Sequence, residues 1–269
     1  MTLTDIGRRG LVLLGCGKMG SALLEGWLAG GLPASAAWVI EPNPSDWLSA
    51  QATRLNAGIP EDPAVAVVAV KPQMMGEALP QLAALGSGTL ILSIAAGTPI
   101  AAFEAALGRG KPVVRAMPNT PAAVGQGITA LIANPEAGED GLASAEALMA
   151  AVGSTVRLES EEQMDAVTGV SGSGPAYVFH MIEALAAAGV AQGLPEAMAM
   201  QLARATVCGA GALAAQSPET AEVLRVNVTS PGGTTAAGLG VLMDPDTGLP
   251  PLMRRTVAAA ADRSRELRQ

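Results

Sequence analysis

Three groups of residues in this chain have the types and spacing for chemistry. The first is Leu11-Val-Leu-Leu-Gly15-Cys16-Gly17-Lys18-Met19-Gly20, a G-x-G-x-x-G turn between an apolar run and a helical stretch. Gly15 permits the tight turn. Gly17 lets backbone approach a pyrophosphate, and Gly20 allows close helix–strand packing, with the helix N-terminus facing the phosphates. A glycine triplet also serves ordinary turns; the strand before it and the helix after it make this one a dinucleotide signal. About 20 residues further on, the run Ala37-Trp-Val-Ile40 ends at Glu41-Pro-Asn43. A glutamate there accepts hydrogen bonds from a ribose 2′-OH and repels a 2′-phosphate, which favours NADH over NADPH. If Glu41 is solvated and Asn43 reads the ribose, NADPH stays usable.

The second group sits where later apolar runs end. Ala69-Val70-Lys71-Pro72 follows one, and Lys71 is one of only three lysines. It could offset cofactor phosphates and a substrate carboxylate, or be an ordinary lysine on a loop rim. Ser93-Ile-Ala95-Ala96-Gly97 and Arg115-Ala-Met-Pro118-Asn119-Thr120-Pro121 repeat the pattern. Their small residues leave room for a nicotinamide ring. Asn119 could hydrogen-bond its amide, and an Asx-turn is an equally ordinary role.

The third group is Thr229-Ser230-Pro231-Gly232-Gly233-Thr234-Thr235. This turn has free backbone N–H groups, nearby hydroxyls and a helix start after it, which suits a small carboxylate or a plain helix cap. Ser171-Gly-Ser-Gly174-Pro-Ala-Tyr177 is the other unusual segment of this half. The single histidine, His180, reads as a core or interface residue rather than a catalytic acid, and Tyr177 as packing. Cys16 and Cys208 form no disulfide framework, and no Cys/His cluster has metal-ligand spacing, so no metal is expected.

Elements must hold these groups in place. Fully apolar runs at 11–14, 37–40, 65–70, 89–94, 113–117 and 127–132 read as strands of a parallel sheet covered on both faces. Helices fill the gaps at 21–30, 46–56, 74–85, 100–107 and 138–152, which implies a doubly wound sheet. After about residue 158 the strand signal stops. Stretches 160–170, 174–189, 195–216, 218–226, 234–243 and 250–267 read as helix, with Pro195 and Pro218 in first turns and Ser217 as an N-cap. Cys208-Gly-Ala-Gly-Ala-Leu-Ala-Ala is helical but almost without bulk. Glycine inside a helix costs up to ~1 kcal/mol, so this stretch either permits close helix–helix approach or reflects an alanine-rich composition.

The 269 residues carry net charge −8, from 16 Lys+Arg and 24 Asp+Glu; 49% are hydrophobic and 2% aromatic. That is enough apolar material for one large or two ordinary domains. It offers neither the basic face nor the stacking platform of a nucleic-acid binder, and it disfavours an anionic membrane surface. No uninterrupted apolar stretch reaches ~18 residues, so no membrane span is expected, and a soluble cytoplasmic protein is.

Taken together, these segments resemble the pyrroline-5-carboxylate reductase family. The matching blocks are GCGKMG (15–20), AVKP (69–72), SIAAG (93–97), RAMPNTPAAVGQG (115–127), DAVTGVSGSGPAYVF (165–179) and VTSPGGTTAAGL (228–239). The resemblance implies an α/β N-terminal Rossmann domain, residues 1–158, with a doubly wound, mostly parallel sheet. It implies an all-α C-terminal dimerisation domain over 159–269, which also carries substrate residues. It further implies a homodimer built through the helical domains, dimers that ring into decamers, and a site shared between the two domains. The reaction implied is NAD(P)H-dependent reduction of 1-pyrroline-5-carboxylate to L-proline. Residues 15–20, Asn56, 69–72, Ala95 and Ala96 would then line the cofactor, with Asn227 approaching from the helical side. Ser230, Gly232, Gly233, Thr234, Thr235 and Glu161 would hold the substrate, with the Thr235 hydroxyl at the ring nitrogen as the catalytic group. The family commonly shows Asn or Ser with a following Ser or Arg after the second strand. Glu41-Pro-Asn43 departs from that, and so bears on NADPH use but not on the reaction. Every lysine precedes residue 112, which argues against a dehydrogenase with a lysine acid/base in its helical half.

Overall fold

A computed structural model describes residues 3–267. Eight strands form one sheet: β1 (Leu11–Leu14), β2 (Ala37–Ile40), β3 (Arg54–Leu55), β4 (Val65–Val68), β5 (Leu90–Ser93), β6 (Val113–Met117), β7 (Gly127–Ala133) and β8 (Gly153–Arg157). Their order is β3-β2-β1-β4-β5-β6-β7-β8. Every pairing is parallel except β6 with β7. The chain leaves β1 to form β2 on one side and later β4 on the other. The carboxyl ends of β1 and β4 therefore border the crevice where such sheets bind ligands.

The helices of this α/β part are α1 (Leu3–Arg9), α2 (Lys18–Ala29), α3 (Asp46–Ala50), α4 (Met75–Ala78), α5 (Ile100–Leu107) and α6 (Gly138–Met149). The apolar runs become strands because both faces are covered. Leu11, Leu13, Val65 and Val67 pack with Leu23, Leu24, Trp27, Leu148 and Met149 on one face. Val12, Leu14, Ala66 and Val68 pack with Leu79, Leu82, Phe103 and Leu107 on the other. Trp27 donates its indole N–H to the Leu148 carbonyl (2.9 Å), which satisfies the one polar atom this large side chain takes into the core.

Several elements depart from the local pattern. The helix expected over 46–56 stops at Ala50, and the chain turns into β3. The helix expected over 74–85 is one α turn flanked by 3₁₀ turns, with Pro80 removing a backbone donor. Strand β8 has the mostly exposed sequence Gly-Ser-Thr-Val-Arg at a sheet edge, and so gives no apolar run to read.

The remaining helices are α7 (Gln163–Val167), α8 (Gly174–Ala191), α9 (Glu196–Gln216), α10 (Ala221–Asn227), α11 (Thr234–Leu242) and α12 (Leu249–Glu266). A π turn at Thr168–Gly172 links α7 to α8. The expected N-cap at Ser217 is instead the end of α9. Helix α10 starts later, capped by the Thr220 hydroxyl accepting the Val223 N–H, while Ser217 accepts the N–H of Glu219. The helical run over 163–191 is long and apolar enough to cross a membrane by length and composition alone. The Ser/Gly segment that divides this run in the sequence, 171–174, forms the π turn and the start of α8 instead of a break.

The chain forms two compact units. One runs to Gly172 and resumes at Ala260, and the other is Ser173–Ala259. The last strand ends at Arg157, but α7 and the π turn still belong to the first unit. Asp165, 1% exposed, accepts the Ser264 hydroxyl at 2.8 Å, which ties α7 to the end of α12. In the second unit α8 and α9 meet through small residues: a Cβ on Gly189 would lie 3.3 Å from that of Ala199. Its buried hydrophobic residues are Ala186, Ala199 and Ala203, whereas Phe179 (59% exposed), Leu202 (51%) and Leu213 (54%) face outward. A domain with so little apolar side chain inside has no core of its own.

Candidate dinucleotide site

The glycine loop occupies the end of β1. Gly15 has φ +86° and donates its N–H to the Ile40 carbonyl (2.9 Å); a Cβ there would lie 2.8 Å from the Ala69 carbonyl oxygen. A Cβ on Gly20 would lie 2.6 Å from the Gly15 oxygen, so glycine is what lets α2 start directly above the strand. Gly17 differs: a Cβ there meets nothing within 4 Å. Its lack of a side chain answers no need of the folded chain and leaves a cradle at the start of α2. Gly17 is also the N-cap and supplies no side-chain cap. The first-turn N–H groups of α2, from Lys18 to Gly20, therefore remain available to an anion.

Cys16, between the two glycines, is buried. Ser21 donates its hydroxyl to the Cys16 carbonyl (2.9 Å) and lies beside the thiol. Burial pushes the Cys16 thiol above its ordinary pKa; the Ser21 contact opposes this, and the Glu41 charge adds to it. A thiolate is disfavoured, so this cysteine packs rather than reacts.

At the end of β2, Glu41 is tied to the glycine loop. Its carboxylate accepts the Cys16 N–H (2.8 Å) through one oxygen and the Asn43 N–H (3.0 Å) through the other. Asn56, at φ +50°, accepts the Glu41 N–H with its side-chain oxygen and donates its amide to the Glu41 carbonyl, both at 3.0 Å. Asn56 thus extends β2 by one residue, as a neighbouring strand would.

The loops after β4 and β5 lie on the same edge of the sheet. Leu14, Val68 and Ser93 are in register across β1, β4 and β5, which places 69–72 and Ala95–Ala96 beside the glycine loop. Ala69 donates to the Leu14 carbonyl (2.8 Å), and the buried Ser93 hydroxyl accepts the Ala95 N–H (3.2 Å). Lys71 is exposed at the start of a 3₁₀ turn. Asn119, 8% exposed, spends both ends of its amide on backbone. It donates to the Ser171 carbonyl (3.2 Å) and accepts the Ile128 N–H (3.0 Å). Glu161 pairs with the buried Arg115 at 2.7 Å and accepts the Ile100 N–H (2.9 Å) at the start of α5.

In the second unit, Gly232 has φ +69° and Gly233 donates to the Ser230 carbonyl at 3.0 Å. Gly233 caps α11 without a side chain, again leaving first-turn N–H groups open, and Thr234 and Thr235 are exposed. Among the described residues the Thr235 hydroxyl has no hydrogen-bond partner. Asn227 donates to the Glu219 carboxylate (3.0 Å), and His180 pairs with Glu183 on the surface of α8.

The chain matches the family model described as pyrroline-5-carboxylate reductase dimerisation over residues 161–267, and one described as NADP oxidoreductase, coenzyme F420-dependent, over 10–97. A pyrroline-5-carboxylate reductase from Pseudomonas aeruginosa is 39% identical over 96% of both chains. One from Synechocystis is 47% identical over 76% of this chain and 74% of its own. Among solved structures, a pyrroline-5-carboxylate reductase from Coxiella burnetii superposes with TM-score 0.86 at 31% identity, covering 97% of this chain and 99% of that one. A Plasmodium falciparum pyrroline carboxylate reductase with NADP bound gives TM-score 0.82 at 28% identity over 98% and 99%.

Proposed function

Because the chain belongs to the pyrroline-5-carboxylate reductase family, we propose that the loops described above divide the labour of its reaction. That reaction is reduction of 1-pyrroline-5-carboxylate to L-proline with NAD(P)H, the last step of proline biosynthesis. The observation that carries this reading is the 39% identity over 96% of both chains with the Pseudomonas enzyme. The open cradle at Gly17 and the uncapped start of α2 fit a dinucleotide pyrophosphate.

The cofactor, when bound, supplies a hydride to the imine carbon. Backbone N–H groups of Lys18, Met19 and Gly20 hold the pyrophosphate, and Lys71 adds positive charge at the next strand end. Val70, Pro72, Ala95 and Ala96 are small or rigid enough to admit the nicotinamide. Ser230, Gly232, Gly233 and Thr234 hold the substrate carboxylate through their amides and the start of α11. Thr235 orients the ring nitrogen and delivers a proton where the neutral imine binds. The imine nitrogen otherwise carries its own proton, so orientation and exclusion of water suffice for the rest.

The family's dimerisation region, 161–267, contains the second unit, Ser173–Ala259, whose buried hydrophobic residues are all alanine. The protein oligomerises through this region; pairing as a homodimer, and rings of dimers forming a decamer, belong to the proposal, as does a cytoplasmic location. The same pairing accounts for the apolar 163–191 helix without a membrane.

The assay mixes purified protein with pyrroline-5-carboxylate and NADH or NADPH, and follows loss of reduced-dinucleotide absorbance together with formation of proline. Oxidation coupled to proline is expected. No turnover with either cofactor sinks the reading.

A further inference from the structure

The clamp on Glu41 says which dinucleotide the reductase takes. We propose that Glu41 is a specificity-determining residue that makes the protein NADH-selective, its carboxylate receiving the adenosine ribose hydroxyls and excluding a 2′-phosphate. The inference rests on the reading of the chain as an NAD(P)H-dependent reductase.

Three observations carry it. First, the carboxylate is held in place. One oxygen accepts the Cys16 N–H at 2.8 Å and the other the Asn43 N–H at 3.0 Å, while Asn56 fixes the Glu41 backbone from both sides. Pro42 and Pro44 restrict the loop that follows. The side chain cannot swing aside to admit a phosphate without releasing two backbone donors. Second, each carboxylate oxygen keeps acceptor capacity for a ribose hydroxyl. A 2′-phosphate brings negative charge instead of that donor. Third, the cation that a 2′-phosphate needs is missing from the neighbouring chain. Residues 41–50 contain no Lys or Arg and include a second acid, Asp46. The next basic residue, Arg54, is committed elsewhere: its guanidinium lies 4.5 Å from the centroid of the Trp38 ring, and its Nε donates to the Ser35 carbonyl at 2.9 Å. Asn43 spends its backbone N–H on holding the carboxylate, so the residue beside Glu41 supports the clamp. The fold at large does not decide the matter, since the Plasmodium relative carries NADP.

The test titrates the full-length protein with NADH and with NADPH in the absence of substrate, following dinucleotide fluorescence, and repeats the comparison as kcat/KM with pyrroline-5-carboxylate. Like charges forced together at an interface cost several kcal/mol, so wild-type protein is expected to bind NADH at least about tenfold more tightly. Glu41→Gln keeps the size and one acceptor oxygen but loses the charge. It is expected to narrow the ratio at least about tenfold, mainly through tighter NADPH binding. Wild-type protein binding NADPH as tightly as NADH overturns the proposal, as does an unchanged ratio in a folded Glu41→Gln variant. If that variant does not fold, the wild-type ratio decides alone. NADH-selective binding without imine reduction leaves Glu41 in its role and removes the substrate assignment instead.

Discussion

The same resemblance implies that Thr235 and Glu161 both hold the substrate, yet the structure gives them different surroundings. Thr235 is exposed at the start of α11 with its hydroxyl uncommitted among the described residues. Thr235→Ala is expected to lower kcat/KM by about 1.5–3 kcal/mol, the worth of a hydrogen bond to a charged group. Steady-state kinetics matching the wild type would take Thr235 out of the mechanism. Glu161 already serves the fold: it neutralises Arg115, whose side chain is 3% exposed, and accepts the first N–H of α5. Glu161→Ala leaves that guanidinium buried and unpaired, and is expected to cost about 3 kcal/mol of stability in urea unfolding. Full stability with a loss confined to KM would instead place Glu161 on the substrate. Neither the Arg115–Glu161 pair nor the Asn119 bonds to Ile128 and Ser171 could be seen in the sequence. Their partners stand 46, 9 and 52 residues away, and nothing local marks them.

The β1–α2 junction is the element proposed to position the cofactor, and its glycines separate two demands. Gly20 is required by the fold, because its Cβ would meet the Gly15 oxygen at 2.6 Å. The fold makes no such demand on Gly17, because its Cβ would meet nothing within 4 Å, and the proposed pyrophosphate site supplies the reason for a glycine there. Gly17→Ala is therefore expected to keep the wild-type unfolding midpoint while weakening NADH binding at least about tenfold, whereas Gly20→Ala lowers both. A Gly17→Ala protein that binds NADH normally would show that no pyrophosphate rests there. This junction was legible because strand, turn and helix signals are contiguous. The same holds for the bounds of β1, β2 and β6, which follow the apolar runs. The two-residue β3 and the exposed edge strand β8 are not legible in the sequence because they take their form from neighbours rather than from their own composition.

As a whole, the molecule leaves its helical unit without a core, and the small-residue stretch of α9 lies open: Cβ atoms on Gly209 or Gly211 would touch nothing within 4 Å. If a partner subunit's helix packs there, Gly209→Leu separates the subunits without harming either one. The expected outcome is a shift toward monomer in sedimentation velocity with helix content preserved. An unchanged oligomer would place the contact elsewhere on the helices.

The family, and the reaction it implies, were legible by resemblance in the glycine spacing and the SPGGTT and SGSGP segments, and six of the eight strands were legible in the apolar runs, because these are short-range signals. The state of Glu41 was not. In sequence it is an acid after a strand, whose charge favours NADH while solvation stays open as the alternative. Folding brings the Cys16 N–H, 25 residues away, against its carboxylate and encloses its backbone in the Asn56 amide. Such a clamp depends on two parallel strands lying side by side with their ends in register, a condition set by packing of the whole sheet and by no single segment of the chain.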